Sequence, residues 1–184
     1  MTSGYATLRL EPAVVTGAFI DGNIMRRPES HFLDLVVDGR SMRTLAGEQA
    51  QDYVTELNRP WLPEVAKTVD RFLGRGADEF LAPGRVALLV CPRDGDLGCG
   101  QLTTALGFGA AEVTWSDFRW EDGRSDPRPE ERLDQALTFS RAQYESAFAD
   151  AHQRLAAFPY DELAHRGRRF LWPWEWGWRL PPRV

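Results

Sequence analysis

The chain has 184 residues, 43% hydrophobic and 27% charged, a globular mix that excludes a disordered tail protein, a collagen-like fibre and a coiled-coil rod. Its two cysteines cannot build a disulfide scaffold, and no run approaches the roughly 18 apolar residues of a membrane span. The net charge of −5 runs against the basic excess of a protein that grips nucleic-acid phosphate.

The first 45 residues read as an antiparallel meander. Tyr5–Leu10 alternates, with Ala6, Leu8 and Leu10 on one side. Ala13–Ile20 and His31–Val37 are further β-branched apolar runs. Asp38-Gly39 supplies the positive-φ residues of a two-residue hairpin, and Arg40–Leu45 is expected to return as the paired strand. Ala50, Tyr53, Val54 and Leu57 then fall on one helical face, which Asn58-Arg59-Pro60 ends. Pro63 suits the first position of a second helix, with Val65, Val69, Phe72 and Leu73 as its buried stripe and Gly74 as its stop.

Strands return after a loop. Val86–Val90 is a continuous apolar run of the kind buried on both faces, and Gln101–Phe108 and Glu112–Phe118 are two more candidates. Asp122–Arg128 is a polar loop. A long helix is expected from Pro129, with Asp126 as cap and a stripe through Leu133, Leu137, Tyr144, Phe148, Ala151 and Leu155. The sum is an α+β fold: an antiparallel sheet of six to seven strands against two short helices and one long C-terminal helix. Residues 1–170 form one domain and 171–184 a tryptophan-rich tail.

Three segments are candidates for chemistry or recognition. The first runs from Cys91 to Gly100 and packs both cysteines and three glycines after an apolar strand. Thiolates from Cys91 and Cys99 with a carboxylate from Asp94 or Asp96 make a candidate zinc set. The spacing is C-x7-C rather than the C-x-x-C of most zinc sites, so a reversible disulfide or a plain hairpin with two semi-buried thiols stands beside it.

This segment resembles a family of small bacterial proteins with a CPxCGDxGCG motif followed by V-x-W-x-D-F. Cys91, Pro92, Gly95, Asp96, Gly98, Cys99 and Gly100 fit the first part; Val113, Trp115, Asp117 and Phe118 fit the second. Some members carry the label oxidoreductase. The family's middle cysteine is Asp94 here, so a metal held by three thiolates in relatives would need Asp94 to stand in.

The second segment is Thr114–Asp122. As a regular strand it would project Asp117, Arg119 and Glu121 from one face, an arginine between two carboxylates, and Phe118 and Trp120 from the other. The third is the tail, where Trp172, Trp174, Trp176 and Trp178 alternate strictly. Extended, all four indoles share one face. Arg168 and Arg169 precede them, and residues 151–184 carry +3 against −7 for 94–150. Tryptophan and arginine dominate interface hot spots, which points to another protein as partner.

No Rossmann glycine pattern, phosphate-binding loop, H-E-x-x-H pair or nucleophile elbow occurs, and no catalytic residue is assigned. The start Met1–Tyr5 has no basic-then-apolar leader. The sequence therefore predicts a non-catalytic cytoplasmic interaction protein, of a regulatory or immunity type. A metal- or thiol-dependent oxidoreductase at Cys91 and Cys99 is the alternative.

Overall fold

A computed structural model describes residues 4–16, 29–92, 95 and 97–161. Among them the fold is α+β, as expected, with the strands divided between two antiparallel sheets. The first sheet joins β1 (Leu8–Val15), β2 (Ser30–Val37) and β3 (Arg40–Ser41) in that order. Asp38 at φ 48 and Gly39 at φ 76 make the tight β2–β3 turn, a conformation that aspartate and glycine tolerate best. The returning strand is only two residues long. Ser41 caps α1 (Met42–Ala46) by accepting from the Arg43 amide, so Arg40–Leu45 turns into helix where the sequence suggested strand.

The expected helix over Ala50–Leu57 is replaced by a 3-10 turn at Glu48–Ala50, a further turn at 51–52 and irregular chain with isolated bridges at Val54 and Asn58. The reason lies in backbone pairing. Val54 exchanges both hydrogen bonds with Val90, at 3.1 and 2.7 Å, and so continues the edge beside the next sheet. Helical backbone could not offer those groups sideways. Ala50, Val54 and Leu57 are buried all the same. A 3-10 stretch at Arg59–Glu64 leads into α2 (Val65–Phe72), which stops as expected at Gly74, φ 68.

The second sheet runs β4 (Arg85–Leu89), β5 (Gln101–Phe108), β6 (Glu112–Glu121) and β7 (Arg128–Pro129), with β8 (Leu137–Ser140) also on β6. All five residues of β4 are buried. The long helix from Pro129 does not form. Arg128–Pro129 pairs with Arg119 and Trp120, and Leu137–Ser140 pairs with Glu112–Trp115. Helix begins only at α3 (Arg141–Phe148), followed by α4 (Ala151–Ala156). The stripe was right in burial for Leu133, Tyr144, Phe148, Ala151 and Leu155, which join one core. A period of three or four residues also fits a chain that meets the core once per short element.

β6 carries a bulge that the sequence encodes. Val113 and Trp115 face the core at odd positions, whereas Phe118 faces it at an even one. Regular pleating cannot satisfy both, because successive side chains alternate sides. Asp117 takes φ 53, and the β5 register shifts between Thr103↔Arg119 and Ala105↔Ser116. That one extra residue turns Phe118 inward and Asp117 outward.

The centre of the core is aromatic. Phe72 stacks on Phe148 at 5.0 Å between ring centroids, and Trp115 meets Phe139 edge-on at 5.1 Å and Tyr144 at 6.1 Å. Among the described residues, no helix is long and apolar enough to cross a membrane.

Candidate functional site

The fold brings the first two sequence segments together. The Cys91–Gly100 connection joins β4 to β5, whose last ladder pair before it is Leu89↔Leu102. It turns through a Gly95 N–H to Cys91 C=O bond of 3.0 Å, closes through Gly100 N–H to Leu97 C=O at 2.8 Å, and is held by the Gln101 amide on Gly95 C=O at 3.0 Å. The far end of β6 lies alongside, and Tyr53 fills the angle between them. The Tyr53 hydroxyl donates to the Cys99 carbonyl at 3.0 Å, and its ring packs edge-on against Trp120 at 5.1 Å. Gly100, at φ 87, leaves room for this hydroxyl: a Cβ there would stand 3.2 Å from it.

An open recess of about 190 Å³ results, lined by Tyr53, Cys99, Trp120, Glu121 and Asp126 among others. A second hollow of about 750 Å³ continues from it along β7, past Gln49, Arg128, Glu130 and Arg132. Trp120 is a wall common to both, with Tyr53 and Arg128. Its indole N–H donates to Glu130 Oε2 at 2.7 Å, the Gln49 amide donates to the same oxygen at 3.1 Å, and the Arg132 amide donates to Glu130 Oε1 at 3.1 Å. This buried carboxylate is thus filled with donors that fix the indole's orientation.

Cys91 is half-buried and Cys99 exposed, and no disulfide joins them. Burial raises the Tyr53 phenol above its ordinary value, and the nearby Cys91 and Cys99 thiols push in the same direction. Asp94 and Asp96, the carboxylates expected to complete a zinc set, lie outside the described residues. Among the described residues no group of three or more histidine, cysteine and acidic side chains is placed to hold a metal. Trp172, Trp174, Trp176 and Trp178, with Arg168 and Arg169, also lie outside them.

The charges of Thr114–Asp122 sit differently from a regular strand. The arginine between the carboxylates is Arg85 of β4, 7% exposed, rather than Arg119 alone. Arg85 Nη1 lies 2.8 Å from Asp117 Oδ2, and Nη2 donates to the Asp117 carbonyl at 2.9 Å and to Thr103 Oγ1 at 2.6 Å. Its Nε is 2.9 Å from Glu121 Oε1 at ion-pair distance, without the angle of a hydrogen bond. Thr103 also donates to Glu121 at 2.7 Å, and Arg119 Nε holds Asp117 Oδ1 at 2.7 Å. Burial works to raise the Asp117 carboxyl, but Arg119 and Arg85 outweigh it and hold the group below its ordinary value. A carboxylate held ionised by two guanidiniums is poorly placed for proton transfer near neutrality.

Sequence reasoning missed Tyr53, Arg85 and Glu130. Tyr53 reads from sequence as one member of a helical stripe, and Arg85 and Glu130 carry no signal of their own there. Arg85 gains its partners only where β4, β5 and β6 lie side by side, and Glu130 gains its own only through the Trp120 indole and the Gln49 amide.

Comparison of the chain with protein-family models, with curated proteins and with solved structures finds no match.

Proposed function

We propose that the chain is a non-catalytic protein-interaction module of the cytoplasm, whose contact strip is Trp172, Trp174, Trp176 and Trp178 with Arg168 and Arg169 beside it. The observation that carries this reading is the alternation of four indoles within seven residues. Large, stiff amphipathic rings supply most of the energy at interface centres, and arginine is enriched with them. The second support is chemical. Among the described residues, buried Asp34 and Glu130 and half-buried Glu56 serve as acceptors in internal networks: Asp34 with Ser41 and Arg43, Glu56 with Arg71 and Thr68, Glu130 with Trp120. Each of these three carboxylates is committed to donors within the fold, Glu130 on the wall of the hollow along β7.

The test compares three forms of the chain as bait: intact, ended at Phe170, and W172A/W174A/W176A/W178A. A partner retained in stoichiometric amount by the first and lost by both others supports the reading. Equal retention by all three removes the strip from the interface.

The metal-dependent alternative rests on Cys91 and Cys99 taking Asp94 or Asp96 as further zinc ligands. Elemental analysis of the purified chain decides it: zinc at one equivalent favours the metal site, and its absence after zinc loading dismisses it.

A further inference from the structure

We propose that Cys91 and Cys99 are the resolving and attacking thiols of a dithiol that exchanges with small external disulfides. This function is separate from the interaction strip and does not depend on it. The two residues flank the same base of one connection: Cys91 leaves two residues after Leu89, and Cys99 precedes Leu102 by three, while Leu89 and Leu102 are a ladder pair. The β4–β5 pairing therefore holds the chain on both sides of the thiols. The connection between them is folded back by its own turns, Gly95 N–H to Cys91 C=O and Gly100 N–H to Leu97 C=O.

A second observation fixes the exposed member of the pair. Tyr53 is hydrogen-bonded to the Cys99 carbonyl. The exposures of the two thiols differ in the sense that an exchange reaction needs: Cys99 is exposed on the wall of the recess, and Cys91 is half-buried. An incoming disulfide meets Cys99 first.

The chemistry balances with a disulfide as the only co-reactant. The Cys99 thiolate attacks one sulfur of R–S–S–R, forming a mixed disulfide and expelling RS⁻, which takes up a proton. The Cys91 thiolate then attacks the Cys99 sulfur, forming the intramolecular bond and expelling the second RS⁻. Two protein thiols lose two protons and two electrons, and the external disulfide leaves as two thiols.

Glutathione disulfide is the probe. The full chain is incubated with it, unreacted thiols are alkylated, and the product is cleaved with trypsin. Cleavage after Arg85, Arg93 and Arg119 separates the cysteines, so the bond appears as Val86–Arg93 joined to Asp94–Arg119. The expected result is that linked pair in the intact chain, a stable glutathione adduct on Cys99 in Cys91→Ser, and loss of the adduct in Cys99→Ser. Thiols of the intact chain that stay alkylatable, or that bond only between chains, would overturn the proposal. So would a Cys99→Ser chain that takes the adduct on Cys91 as readily, because the order of attack would then be wrong.

Discussion

Arg85 on β4 reaches across β5 to Asp117 on β6, and it does so twice: Nη1 to the carboxylate at 2.8 Å and Nη2 to the backbone carbonyl at 2.9 Å. The second contact fixes the carbonyl of the bulge residue, so one guanidinium ties three strands and the φ 53 backbone together. Removing it as Arg85→Ala leaves Glu121 and Thr103 facing a half-buried hole. The expected cost is about 3 kcal/mol, the low end for breaking a buried pair, since Asp117 is 44% exposed and partly solvated. Urea unfolding of both forms measures it; a cost near zero would mean the guanidinium positions nothing.

Asp117 itself separates backbone from charge. Asparagine also tolerates the left-handed region, whereas alanine does not. Asp117→Asn should therefore cost under about 1 kcal/mol, the scale of a solvent-screened pair, and Asp117→Ala about 1 kcal/mol more. Because the folded carboxyl titrates below its ordinary value of 3.8, its contribution is complete above that pH and fades as pH falls further. Equal costs for the two variants would place the whole effect in charge.

Asp34 should show the opposite pH slope. Burial raises its carboxyl, and the Ser41 hydroxyl and Arg43 guanidinium only partly offset this; one oxygen, Oδ1, is buried without a donor. A raised folded value means that stability is gained below the ordinary value of 3.8 and lost as pH rises toward the folded one. Asp34→Asn lacks this titration. Relative to the native chain it should therefore be least stable in acid and recover as pH approaches 7, read from unfolding midpoints across that range. A gap that widens toward neutrality would contradict the assigned direction.

Tyr144 joins three parts of the core with one hydroxyl. It accepts from the Trp115 indole at 3.1 Å and donates to the Phe72 carbonyl at 3.0 Å, all fully or almost fully buried. Burial first, with only slight relief from Trp115, raises its phenol far above the ordinary range. Tyr144→Phe keeps the ring and strands both partners, for an expected loss of about 2 kcal/mol. A thermal shift within error of zero would imply that water replaces the hydroxyl.

The fold class, β2, the β2–β3 turn, α2, β4 and β5 were legible because each is specified locally, by alternation, by a turn pair or by a capped apolar stripe. The misreadings share one physical cause. Residues 50–57 and 129–140 have helical spacing yet spend their backbone groups on a neighbouring strand, and that demand comes from the tertiary fold. The change of parity between Trp115 and Phe118 was visible, and it foretells the Asp117 bulge once strand periodicity is applied strictly. The recess was less legible: Cys99 and Trp120 stood out, but Tyr53, which joins them, comes from a segment with no chemical signature of its own.

The most direct measurement is cooperative thermal unfolding of the chain ended at Phe170 beside the intact one. If the four indoles serve an external partner, the shortened chain unfolds in a single transition within about 2 °C of the intact chain, a difference of at most about 1 kcal/mol for a domain of this size. A lost or strongly lowered transition would instead make those indoles part of the core and contradict the account.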